Sequence, residues 1–174
     1  MMINLSDVLS EQHNTIDVTV SYDMETFQNS YGTFAIVSKE PVHVVVEHIK
    51  DRELRILADT KMTMRLPCDR CLKDTLETFV LHIDKLVDLG KSEAELTEEF
   101  DESNFIEGYK LDVEQLLTNQ MHTNWPAKVL CAEDCAGLCS ICGVDLNQGN
   151  CDCESTEGDP RMTLIRDLFK NHGD

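Results

Sequence analysis

Between Val42 and Val87 the chain alternates polar and apolar residues with a period of two, in three successive stretches. Val42 to Ile49 is dense in β-branched residues. Leu54 to Leu66 alternates most regularly where Met62, Met64 and Leu66 interleave with Lys61, Thr63 and Arg65. Thr75 to Val87 repeats the pattern, with Phe79, Leu81 and Ile83 on one side. A period of two sends one row of side chains into a core and the other into water, so each stretch predicts a half-buried strand. Lys50-Asp51-Arg52-Glu53 reads as the turn between the first two, and Pro67 with a polar cysteine pair separates the second from the third. Upstream, Ile16, Val18 and Val20 alternate, and Tyr31 to Val37 suits a strand that follows a glycine turn. Sequential strands joined by short turns predict an antiparallel sheet or a small β-barrel over residues 1–88.

Beyond residue 88 the pattern changes. Residues 89–110 are acidic and weakly apolar, and read as a loop. Asp112 then opens a short helix as N-cap, with Gln115 at the fourth position of a capping box. Val113, Leu116, Leu117 and Met121 form its apolar stripe, and Trp125-Pro126 ends it. A last helix starts at Asp159, with Pro160 at the first helical position, where its missing N–H costs nothing. Its broad apolar face, Met162, Leu164, Ile165, Leu168 and Phe169, is expected to pack on the β domain. The expected class is therefore α+β: an antiparallel sheet or small barrel, a few short helices and a C-terminal metal-binding tail. In domain terms this is 1–88, an acidic loop over 89–110, and 111–174 packed on the sheet.

Charge narrows the function. The chain has 174 residues, with 33 acids against 15 bases and a net charge of −18. Broad, non-specific binding to nucleic acid or to an anionic membrane needs a large positive field, and this composition argues against it. The N-terminal residues Met1 to Asp7 carry no positive region and no apolar stretch of signal-peptide length. The densest apolar run, Val42 to Val46, is interrupted by His43 and is far short of the roughly 18 residues of a membrane span. A cytoplasmic protein without membrane contact is the expectation, and in that compartment disulfides are rare.

The eight cysteines therefore point to metal. Cys68-Asp69-Arg70-Cys71 follows a predicted strand directly, and the others are Cys131, Cys135, Cys139, Cys142, Cys151 and Cys153. Cys139-Ser140-Ile141-Cys142-Gly143 has the form of a zinc knuckle, in which a tight turn aims two thiolates at one point. Gly137, Gly143 and Gly149 punctuate a segment with almost no apolar material to fold it otherwise. Two structural Cys₄ zinc sites account for the count. In the preferred partition Cys139, Cys142, Cys151 and Cys153 form a local site, while Cys68 and Cys71 join Cys131 and Cys135. The rival partition pairs Cys68 and Cys71 with Cys139 and Cys142, as in a zinc ribbon, and spacing alone does not choose. Iron–sulfur clusters use the same ligands, but their usual spacings are absent. The histidines, His13, His43, His48, His82, His122 and His172, do not gather near a cysteine pair. There is no Ser-His-Asp spacing, no phosphate-binding glycine loop, no His-Glu-x-x-His and no carboxylate in an apolar setting, so no enzymatic activity is expected.

One set of residues resembles a known family. It runs Leu66-Pro67-Cys68-Asp69-Arg70-Cys71-Leu72, then Pro126 to Cys131, then Asp134 to Gly143 with Asp145-Leu146-Asn147, Cys151-Asp152-Cys153 and Asp159-Pro160-Arg161. It resembles the YceD-like large ribosomal RNA subunit accumulation proteins. Ser140 stands where the family often has proline, and Met121 to Trp125 replaces a more apolar helix end. The resemblance implies a non-enzymatic role in the accumulation of large-subunit ribosomal RNA. The partner it implies is a large-subunit precursor or a basic large-subunit ribosomal protein. It supplies no molecular mechanism.

Three readings follow: an assembly factor for the large ribosomal subunit, an acidic zinc-stapled holder for a basic ribosomal protein, and a thiol redox protein using Cys68 and Cys71. The last is the weakest, because redox C-x-x-C motifs want a strand–helix context and here strands flank the pair. Charge is segregated along the chain. The bases concentrate around the predicted strands, while residues 131–160 contain no lysine or arginine. A sheet face carrying Arg52, Arg55, Lys61, Arg65 and Arg70 is a candidate for local RNA or partner contact, and whether RNA is touched directly stays open.

Overall fold

The computed structural model describes residues 1–10, 14–90 and 104–153. The expected helix from Asp159 and residues 91–103 of the acidic segment lie outside them. The chain divides into two compact units, Met1–Asp69 with Lys73–Cys131, and Arg70–Leu72 with Ala132–Asp174. The first holds, in chain order, β1 (Met2–Asn4), α1 (Ser6–Ser10), β2 (Thr15–Val20), β3 (Thr26–Asn29), β4 (Gly32–Lys39), β5 (Val42–Lys50), β6 (Glu53–Pro67), β7 (Asp74–Asp88), β8 (Ile106–Glu107), β9 (Lys110–Asp112) and α2 (Val113–Thr123).

The three alternating stretches are β5, β6 and β7, and β6 is the spine. One edge of β6 pairs with β7 along its whole length, from Glu53↔Asp88 to Pro67↔Asp74 without a slip. Its other edge is divided. β5 takes the first half and β4 the second, with Ile36 opposite Met64 and Lys39 opposite Met62. β2 then adds to β5, and β3 to β4. Among the described residues β7, β2 and β3 each pair on one side only, so the antiparallel sheet forms and the small barrel does not. The edge that a barrel would have to close is split between two strand pairs, β5 with β2 and β4 with β3, each ending in its own edge strand.

Alternation then builds the core. Val42, Val44 and Val46, the β6 row from Leu54 to Leu66, and Phe79, Leu81, Ile83 and Val87 are buried together. Leu5, Val8, Phe27, Phe105 and Leu111 join the same cluster, as do Val113, Leu116, Leu117 and Met121 of α2. Each such aliphatic or aromatic side chain contributes roughly 1.5–3 kcal/mol by leaving water.

Asp112 caps α2 as expected, its carboxylate accepting the N–H groups of Glu114 and Gln115 at 3.0 and 3.3 Å. The capping box is only half made. The Asp112 N–H donates to the Phe105 carbonyl, and the Gln115 amide donates to Asn119 instead. β8 lies within the segment read as an acidic loop, and β9 begins at its last residue. They form a three-stranded sheet with β1, anchored by buried Phe105 and Leu111. No helix among the described residues is long and apolar enough to cross a membrane.

Candidate metal centres

A six-residue tip joins β6 to β7 and carries the first cysteine pair. The Cys68 N–H donates to the Lys73 carbonyl at 2.9 Å, which closes the tip. Leu72 turns the chain with φ +59, and Cys68 and Cys71 are both buried. Asp69 makes a two-way clamp. Its N–H donates to the Val129 carbonyl at 2.9 Å, and its Oδ2 accepts the Val129 N–H at 2.6 Å. The chain two residues before Cys131 is thereby fastened to the tip.

Residues 139–144 repeat this turn. The Cys139 N–H donates to the Val144 carbonyl at 2.9 Å, and Gly143 turns the chain with φ +73. The Gly143 N–H donates to the Cys139 carbonyl, and the Ile141 N–H points at the Cys139 Sγ from 3.4 Å. A bridge between Leu138 and Asp145 closes the small hairpin. Leu72 therefore occupies the left-handed position that glycine fills in the second turn. A side chain there costs about 1–2 kcal/mol, against about 0.5–1 kcal/mol for the extra unfolded-state freedom of glycine. Leu72→Gly is accordingly expected to raise stability by up to about 1 kcal/mol in a denaturant titration, and a loss of stability would contradict the strain.

The sulfurs of Cys68, Cys71, Cys131 and Cys135 all lie within 4.8 Å of one another, and so do those of Cys139, Cys142, Cys151 and Cys153. This grouping is the preferred partition, and the zinc-ribbon pairing is not formed. None of the eight forms a disulfide. A tetrahedral ion with metal–sulfur bonds of about 2.3 Å spaces its sulfurs about 3.8 Å apart. Each cluster needs a contraction of at most about 1 Å to meet that geometry. Four thiolates fill the coordination shell and leave no position for water, so these clusters suit structural rather than catalytic metal.

The surroundings fit an anionic site. The Asn147 amide donates to the Cys135 Sγ at 3.5 Å while its Oδ1 accepts the Ala136 N–H at 2.7 Å, and Asp145 orients it. Such outer hydrogen bonds orient metal ligands. Arg70 donates to the Cys135 carbonyl at 2.6 Å. Gly137 has φ +80, and a Cβ there would stand 3.1 Å from the Arg70 carbonyl oxygen, so this position demands glycine twice over. The roles of Asn147 and Asp69 were invisible in the spacing, although both lie inside the family-like string.

Titration in the second cluster is uneven. The backbone N–H groups of Cys142 and then Ile141 hold the Cys139 thiol down at about 6. The hydrogen bond to Cys142, followed by desolvation, pushes Cys153 up to about 12. The Cys153 N–H pulls Cys151 down, but its hydrogen bond with Cys139 and desolvation outweigh that pull and raise it. At neutral pH Cys151 and Cys153 thus keep their protons, and a metal ion must displace both. Lower pH therefore opposes binding. Between about pH 6 and 8, affinity at this cluster should fall at least ~100-fold per pH unit lowered. A competition titration with a chromophoric chelator reads this, and a slope below two protons per ion would contradict it.

The five candidate contact cations are not all on one face. Arg55, Lys61 and Arg65 alternate along β6 on the side away from the core. Arg55 is held by Asp84 at 2.7 and 2.9 Å, and this hydrogen bonding keeps Asp84 below the usual carboxylate range. Lys61 and Arg65 are exposed and make no ion pair among the described residues. Arg52 sits in the turn after β5, and Arg70 in the second unit.

No curated protein and no solved structure matches the chain. A family model described as "Large ribosomal RNA subunit accumulation protein YceD" matches residues 57–169. The matched span starts within β6 and contains the knuckle at its end, the Asp69 clamp and all eight clustered cysteines. The features that organise both clusters are thus those the family model covers, and the chain belongs to the YceD family.

Proposed function

We propose that this protein is a non-enzymatic cytoplasmic factor for large ribosomal subunit biogenesis, which supports the accumulation of large-subunit ribosomal RNA. The carrying observation is the family match over residues 57–169. In this reading Cys68, Cys71, Cys131 and Cys135 hold one structural zinc ion, and Cys139, Cys142, Cys151 and Cys153 hold a second. The closed thiolate sets support a scaffold role, since neither leaves room for a substrate at the metal. Depletion should lower the ratio of large- to small-subunit ribosomal RNA, and in undepleted cells the protein should co-sediment with large-subunit precursors. Rescue by the wild-type chain completes the test, and an unchanged ratio on depletion would overturn the proposal.

Charge favours a second reading, an acidic holder for a basic ribosomal protein. The net charge is −18, and each closed Cys₄ zinc site adds about −2 when its four thiols ionise around one dication. A pull-down that survives ribonuclease and retains a basic large-subunit protein supports the holder, whereas loss of that protein on ribonuclease treatment counts against it. The redox reading has little support. The Cys68–Cys71 pair lies between two antiparallel strands, and its sulfurs are grouped with two others.

A further inference from the structure

The end of β6, the turn between β3 and β4 and the segment after α2 enclose a groove of about 550 Å³, lined by Tyr31, Phe34, Pro67, Asp69, Trp125 and Lys128 among others. That size is within the range of small-ligand sites. The groove is built from rings. Trp125 is the chain's only tryptophan. It packs on Phe27, Phe34 and Phe79 with centroid distances of 5.4, 5.1 and 5.9 Å, so its indole is held in place. Tyr31, at the tip of the β3–β4 hairpin, is the contrasting member. The residue is 79% exposed, while its backbone N–H is tied to the Asn29 side chain at 2.8 Å. An aromatic ring is thus presented to water beside a rigid aromatic floor.

Two polar groups mark the rim. Lys128 is exposed and has no hydrogen bond or ion pair among the described residues. In a chain of net charge −18, an unengaged cation beside an aromatic groove runs against the prevailing field. Asp69 has one carboxylate oxygen on the Val129 N–H, and its second oxygen accepts no hydrogen bond among the described residues.

We infer that this groove takes an unpaired base of single-stranded RNA, the base lying among the rings and a neighbouring phosphate meeting Lys128. The inference rests on the ribosomal-RNA reading above and gives it a contact. Every base has a π-face for such rings, and the free oxygen of Asp69 can accept from an exocyclic amine. A duplex cannot enter, because its bases are stacked within it. A proline-rich peptide also suits aromatic grooves, but it offers Lys128 no anion. Stacking, rather than phosphate neutralisation, supplies the affinity, which is how so acidic a chain can bind RNA locally.

Trp125 is the probe. The full-length protein is titrated with a short single-stranded oligoribonucleotide, with its duplex, and with a proline-rich peptide. Saturable quenching of tryptophan fluorescence is expected from the single strand and not from the duplex. The logarithm of affinity should fall with the logarithm of salt with a slope of about −0.7, one phosphate on a single strand. Tyr31→Ala should weaken binding by about tenfold, the scale of one lost stacking partner, with an unchanged circular dichroism spectrum. Lys128→Glu should weaken it further and remove the salt dependence. Failure of the single strand to quench, equal quenching by duplex, indifference to Tyr31→Ala, or quenching by the peptide alone would each overturn the inference. If quenching fails while depletion still lowers large-subunit ribosomal RNA, the groove inference falls and the biogenesis role stands. If quenching holds while depletion changes nothing, the reverse follows.

Discussion

Replacing Cys139 or Cys142 with serine should unfold residues 139–153, which carry the second cluster, while the first cluster and the β-sheet persist. Apart from cysteines, no buried hydrophobic side chain is found among residues 132–153, where Leu138 and Leu146 are only half-buried. The segment is held by turn hydrogen bonds, the Asn147 network and the sulfur clusters, which leaves those clusters as its core. Structural zinc in finger-like peptides is worth on the order of 10 kcal/mol, far beyond what a few half-buried leucines supply. Zinc content should drop from about two ions per chain to about one. Amide protection should vanish between Cys139 and Cys153 and remain in β5, β6 and β7. Full protection of the tail without its metal, or one melting transition that takes the sheet with it, would show that the apolar core and the metal are not separate stabilisers.

Ile56→Ala should do the converse. Ile56 is fully buried near the start of β6, opposite Val46 of β5 and Lys85 of β7. Removing three carbons there forfeits transfer energy and leaves a cavity, at a cost of about 2–5 kcal/mol. For a chain of this length that corresponds to a fall of roughly 5–20 °C in Tm. The variant should lose stability in the sheet unit yet keep the zinc content of the tail cluster. A shift of less than about 2 °C would mean that the core relaxes around the gap.

The strands were legible because alternation is a local property. The stretches 42–49, 54–66 and 75–87 reappear as β5, β6 and β7 with ends moved by a single residue. β1 and α1 were not, since three and five residues are too few to show a period. The split edge of β6 was equally hidden, because which strand lies beside which depends on contacts distant in sequence. Arg70 shows the same limit. From sequence it was one of a group of exposed bases, and the fold instead gives its guanidinium a carbonyl of the Cys135 loop.

The sequence by itself determined the half-buried strands, the cap on α2, the eightfold thiol set and the family. Each of these is written in residue types at short, fixed spacings. Only the tertiary structure decided which cysteines share a cluster, that the sheet stays open, and that Trp125, read from sequence merely as part of a helix stop, is the floor of an aromatic groove. The reason is physical. A turn or a strand is specified by neighbours along the chain, whereas the grouping of four sulfurs or four rings is specified by the register of β6 with β7 and by the Asp69–Val129 clamp, which bring together residues some 60 positions apart.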